Sequence, residues 1–65
     1  MTYNQKLITA RTMRAHGGSF VRALAEALIM ADVTNVQRLE GAFPEYMMKY
    51  GPGSDMYAAM EKVEA

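Results

Sequence analysis

Residues 17–31 read Gly-Gly-Ser-Phe-Val-Arg-Ala-Leu-Ala-Glu-Ala-Leu-Ile-Met-Ala, and the reading of this stretch decides the fold. Phe20, Leu24, Ala27, Leu28 and Ala31 recur at helical spacing, and Val21, Ala25 and Ile29 widen the stripe. Only Arg22 and Glu26 are clearly polar, four residues apart on one face. The spacing predicts a core helix from Phe20 to about Ala31, with the Ser19 hydroxyl capping its first turn. The glycines ahead of it are expected to end the preceding helix, because glycine takes the left-handed conformation past a C-terminus without steric cost.

Punctuation on either side extends this pattern. Thr2 with Gln5 fits a capping box and opens a helix from about Tyr3 to Ala15, with Leu7, Ala10, Tyr3 and Met13 toward one side. Thr34 with Gln37 repeats that spacing ahead of Val36, Leu39 and Phe43. Pro44 suits the first turn of a helix and disfavours helical geometry at the residue before it. A separate short helix, Pro44 to Tyr50, is therefore expected, stopped by Gly51-Pro52-Gly53. Ser54 or Asp55 then caps a last helix with Met56, Tyr57, Met60 and Val63. No β-alternation persists. The expected fold is all-α: one domain over residues 1–65, a compact bundle of four to five short helices.

A chain of 65 residues buries only about 60% of its unfolded surface, and one core of that size supplies about 3–5 kcal/mol. Short proteins commonly add a staple. There is no Cys for a disulfide and a single His, so neither disulfides nor metal is expected to serve. With 51% hydrophobic residues, seven Met and four Tyr, burial completed by a second copy is the remaining route, and a homo-oligomer is expected. No stretch approaches the ~20 apolar residues that span a bilayer. With no cysteine and no signal-like start, the expected location is the cytoplasm.

Net charge is zero, yet it is unevenly placed. Met1 to Ala25 carries Lys6, Arg11, Arg14 and Arg22 without one acid, whereas seven acids and three bases follow from Glu26 onward. Either the basic part docks on an acidic part, or it holds an anion.

Catalytic chemistry finds little support. His16 stands alone with no acid before it, and no HExxH, P-loop or GxGxxG spacing occurs. Neither an enzyme activity nor a cofactor is expected. The densest polar constellation is Arg14, His16, Gly17, Gly18, Ser19 and Arg22. Glycines ahead of a helix start let unpaired amides meet a phosphate, the helix dipole favours negative charge, and arginines grip phosphate in a fork. A plain helix connector flanked by solvated arginines accounts for the same residues, and both readings stay open. The apolar, Met- and Tyr-rich last third places Met48, Met56, Tyr57 and Met60 as interface residues. A helix-turn-helix over Leu24–Leu28 and Thr34–Glu40 fits less well, since Ile29 stands at the usual glycine of the turn and Arg38 is the only base in the second helix.

From Arg14 to Tyr50 the pattern AHGGSFVRALAEAL, then AD, then RLEGAFPEYMMKYG resembles a group of small phage- and prophage-encoded helical proteins. The resemblance covers just over half the chain and implies a viral accessory role without transferring catalytic residues. In size, helical content and a candidate phosphate cradle at Gly17-Gly18-Ser19, the chain is also similar to phage sponges that soak up cyclic-nucleotide immune signals, by analogy alone. The leading expectation is an anti-defence protein that sequesters a phosphate-bearing small molecule in the host cytoplasm. The alternatives are a module inhibiting a host defence protein through the Met/Tyr surface, and a DNA-binding protein.

Overall fold

The computed structural model describes residues 1–64. Five helices follow one another: α1 Tyr3–His16, α2 Ser19–Met30, α3 Val33–Ala42, α4 Pro44–Tyr50 and α5 Asp55–Glu64. Among the described residues there is no strand. The all-α bundle expected from punctuation is the fold observed.

Several boundaries lie where the sequence places them. Thr2 Oγ1 accepts from the Gln5 amide at 3.1 Å and Gln5 Oε1 accepts from the Thr2 amide at 2.7 Å, completing the capping box of α1. Pro44 is the first residue of α4. Ser54 Oγ accepts from the Tyr57 amide at 3.1 Å and donates to the Gly51 carbonyl at 2.7 Å, tying the start of α5 to the end of α4.

Three boundaries differ. The C-terminus of α1 is closed by Gly17 in an extended, not left-handed, conformation (φ −89°, ψ 162°), so the chain turns directly into α2. Ser19 is the first helical residue of α2 and no side chain caps its start; Gly18 occupies the cap position. α3 opens two residues earlier than the Thr34–Gln37 spacing implies. Asp32 Oδ1 accepts from the Asn35 amide at 2.9 Å, and a carboxylate at a helix start gains from the dipole what a threonine hydroxyl does not.

The buried stripe of α2 is turned relative to expectation. Val21, Leu24, Ala25 and Leu28 are buried, whereas Phe20 and Ala27 are exposed. Positions 21, 24, 25 and 28 follow the i, i+3, i+4, i+7 rule, and Ala25 lets the backbones of α1 and α2 come close. α1 is the central element: it contacts α2, α4 and α5, and buries Ile8, Thr9, Ala10, Thr12 and Met13. Tyr3 and Leu7, expected on the core side, are exposed and half-buried. Ala10, Met13, the α2 stripe, Val36 and Tyr50 form one contiguous core.

Two threonines sit at its centre. Thr12 donates its hydroxyl to the Ile8 carbonyl at 2.7 Å, whereas the Thr9 hydroxyl, equally buried, has no partner among the described residues. An unsatisfied buried hydroxyl is destabilising by about 1–3 kcal/mol. Thr9→Val, close in shape, should therefore raise stability by about 1 kcal/mol in urea unfolding, while Leu28→Ala should lower it by about 2–5 kcal/mol.

Candidate functional site

The first 25 residues hold four cations, and each has an intramolecular partner. Lys6 Nζ donates to the Ala31 carbonyl at 3.0 Å, closing the C-terminus of α2. Arg11 pairs with Glu64 at 2.8 Å and so fastens α5 to α1. Arg14 pairs with Glu26 across α1 and α2. Arg22 Nε donates to the Arg14 carbonyl at 3.4 Å, a long bond onto the last turn of α1. Both arginines proposed from sequence to grip an anion thus link the two helices that the Gly17-Gly18 connector joins. Both are exposed, and Arg14–Glu26 is half exposed at each end, a setting in which an ion pair contributes about 0–1 kcal/mol.

The two glycines differ. A Cβ on Gly17 would collide with Val21 Cγ1 and lie 2.7 Å from the Met13 carbonyl oxygen, so this glycine is required by the closeness of α1 and α2. Around Gly18 a Cβ would meet nothing within 4 Å. Gly18, Ser19 and His16 are exposed, and the first amides of α2 carry no side-chain cap. What the loop presents outward is the helix start itself, with the unpaired N–H groups of its first turn.

Of the residues expected at an interface, Met48 is 79% exposed on α4, and Met56 and Met60 are half-buried on α5. Tyr57 departs from that role. It is 6% exposed and belongs to the core, where burial, with the charge of Glu61 adding, raises its phenol above the ordinary value.

A row of exposed apolar residues lies on the outward side of α2. Phe20, Ala23, Ala27 and Met30, spaced three, four and three apart, are all exposed, Phe20 at 56% and Met30 at 84%. Phe20 packs edge-on to Phe43 (5.8 Å between centroids) and near Tyr46 (5.9 Å), so the N-terminal end of the face is an aromatic knob. At the C-terminal end Ala27, Met30, Ala31, Asn35, Arg38 and Leu39 line an open hollow. The signal for this face was present in the sequence. A helix whose only clear polar residues are Arg22 and Glu26 is apolar on two sides, and a single neighbouring layer covers one.

Among the described residues, no three of His, Asp and Glu gather as a metal site would require, and no helix is long and apolar enough to cross a membrane. Comparison with protein-family models, with curated proteins and with solved structures gives no match.

The two glycines give a paired expectation. Gly17→Ala should destabilise by about 1–3 kcal/mol, as overpacking does, because Val21 and the α1 backbone cannot both yield. Gly18→Ala, at φ −80° and ψ −167°, should be neutral or slightly stabilising. Thermal unfolding of the two variants side by side checks this; equal effects would refute the asymmetry.

Proposed function

We propose that this chain is a non-enzymatic interaction module that acts by docking the outward face of α2 onto another polypeptide. The observation that carries the reading is the contiguous exposed row Phe20, Ala23, Ala27 and Met30, bordered by Phe43, Tyr46 and Leu39. Scattered exposed apolar residues are ordinary, but a contiguous row on a helix marks an interaction surface. An apolar helix face rimmed by Arg22, Glu26 and Arg38 also has the layout of protein interfaces, apolar at the centre and polar at the edge. On the resemblance to phage-encoded proteins, the partner class includes proteins of the host cell.

Site-specific photo-crosslinking in expressing cells tests this reading. A photoreactive residue at Ala27 should give discrete polypeptide adducts, one at the exposed Ala58 on α5 should not, and Met30→Glu should abolish the adducts from position 27. No adduct from position 27, or the same adducts from both positions, refutes it.

A second reading is favoured by a separate observation: the start of α2 is uncapped, Gly18 has open space before it, and Arg22 has no carboxylate partner among the described residues. In it, the amides of α2, the Ser19 hydroxyl, His16 and Arg22 hold the phosphate of a small molecule such as a cyclic nucleotide, sequestering it. Arg14, held by Glu26, contributes least. A ligand at ~100 times its dissociation constant stabilises by ~2.7 kcal/mol, so cyclic di- and trinucleotides should raise the melting temperature, and Arg22→Ala should remove the rise. No shift with any of them rules this reading out.

A further inference from the structure

We infer that the polypeptide which docks on α2 is a second copy of this chain, lying antiparallel to the first about a twofold axis level with Ala25. This rests on the docking reading above and assigns its partner.

The first argument is the order of side-chain sizes. Along the exposed face the residues run large, small, small, large: Phe20, Ala23, Ala27, Met30. Their positions are symmetric about residue 25, so an antiparallel copy places Ala23 opposite Ala27 and Phe20 opposite Met30, each twice. Alanines at the centre allow the helices to approach to the ~8 Å lower end of helix packing distances. At each end a thioether meets an aromatic ring, a favourable contact.

Shape gives a second argument. The aromatic knob stands at the N-terminal end of the face and the hollow beside Met30 at its C-terminal end. Antiparallel placement brings the knob of each copy over the hollow of the other. A surface that carries both a projection and its receptacle at mirrored positions is self-complementary, as an isologous interface requires. Arg38 on the rim of the hollow then comes over the Phe20, Phe43 and Tyr46 rings of the second copy, a cation–π arrangement.

Charge gives the third. Arg22 and Glu26 lie along the same edge of the face. A twofold axis across the pair keeps like edges together but reverses their direction. Glu26 then stands two residues, about 3 Å along the axis, from Arg22 of the second copy. Opposite charges meet at that edge.

A contact centred on one twelve-residue helix from each copy, with only the edges of α3 and α4 added, is small, so the dimer should be concentration-dependent. Light scattering across a dilution series should give a mass near twice 7.2 kDa at high concentration, falling toward one chain on dilution. Phe20→Lys alone and Met30→Glu alone should each give monomers with unchanged helical circular dichroism. The double variant faces Lys with Glu across both contacts and should dimerise again, now sensitive to salt. Because the chain has no cysteine, a mixture of Ala23→Cys and Ala27→Cys chains should oxidise chiefly to the mixed disulfide.

A dimer indifferent to Phe20→Lys, or like-with-like disulfides in excess, overturns the antiparallel register. A monomer at every concentration overturns self-pairing. If that monomer still forms adducts from position 27 with other polypeptides, docking on α2 stands without self-pairing; if it forms none, both fall.

Discussion

Everything in this molecule is arranged around the close approach of α1 and α2 at Gly17. The Gly17 amide donates to the Met13 carbonyl at 2.8 Å, and the Val21 side chain occupies the space a Cβ would need. With two residues between the helices, α2 folds back along α1 at once, and Ala10, Met13, Val21, Leu24, Ala25 and Leu28 close into a core. The direction in which α2 is turned follows from that contact. Seating Val21 and Ala25 inward places Ala23 and Ala27 outward, and the exposed row is the other side of the same packing decision.

The charge asymmetry of the sequence has a related origin. An acid-free stretch of 25 residues invites the idea of an anion held from outside. In the folded chain Arg11 and Arg14 meet carboxylates from Glu64 and Glu26, and Lys6 and Arg22 meet backbone carbonyls at helix ends. Three of the four cations lie on α1, where α2 and α5 present carboxylates and a C-terminal carbonyl to them, and the fourth, Arg22 on α2, reaches back to the last turn of α1. Arg22, whose acceptor is a carbonyl at 3.4 Å, keeps the most donor capacity for anything else.

Local chemistry was legible wherever a residue acts on its own backbone. The Thr2–Gln5 capping box, Pro44 at the first turn of α4 and Ser54 at the head of α5 are contacts within three residues, and the sequence carries all they need. Asp32 is not legible as the cap because Thr34 offers a matching spacing two residues on, and nothing local decides between two candidate caps so close together. The register of α2 is hidden from the sequence for a different reason. Phe20 and Val21 are both apolar, and which of them faces inward depends on the shape of α1. Tyr57 looks like a contact residue in a Met- and Tyr-rich sequence, and it is buried because α5 folds back on α1 and α4, a return that no local signal announces. Of the anion constellation the glycines are legible as the connector and Ser19 as the head of α2, but the partners of Arg14 and Arg22 lie on helix faces whose rotation the sequence does not specify.

That return of α5 has a kinetic consequence. α1 packs on α4 and on α5 as well as on its neighbour α2, and the Arg11–Glu64 pair spans 53 residues, the widest separation of any side-chain hydrogen bond among the described residues. Closing so long a loop directly from the unfolded chain is entropically unfavourable, and it shortens to the Gly51–Ser54 turn once α4 lies on α1, so the first four helices gain their contacts ahead of α5. On the native side the same step is the cheapest to reverse, since α5 holds on by one buried tyrosine, two half-buried methionines and an exposed ion pair. Amide protons of α5 should accordingly exchange with solvent ahead of those in α1 and α2.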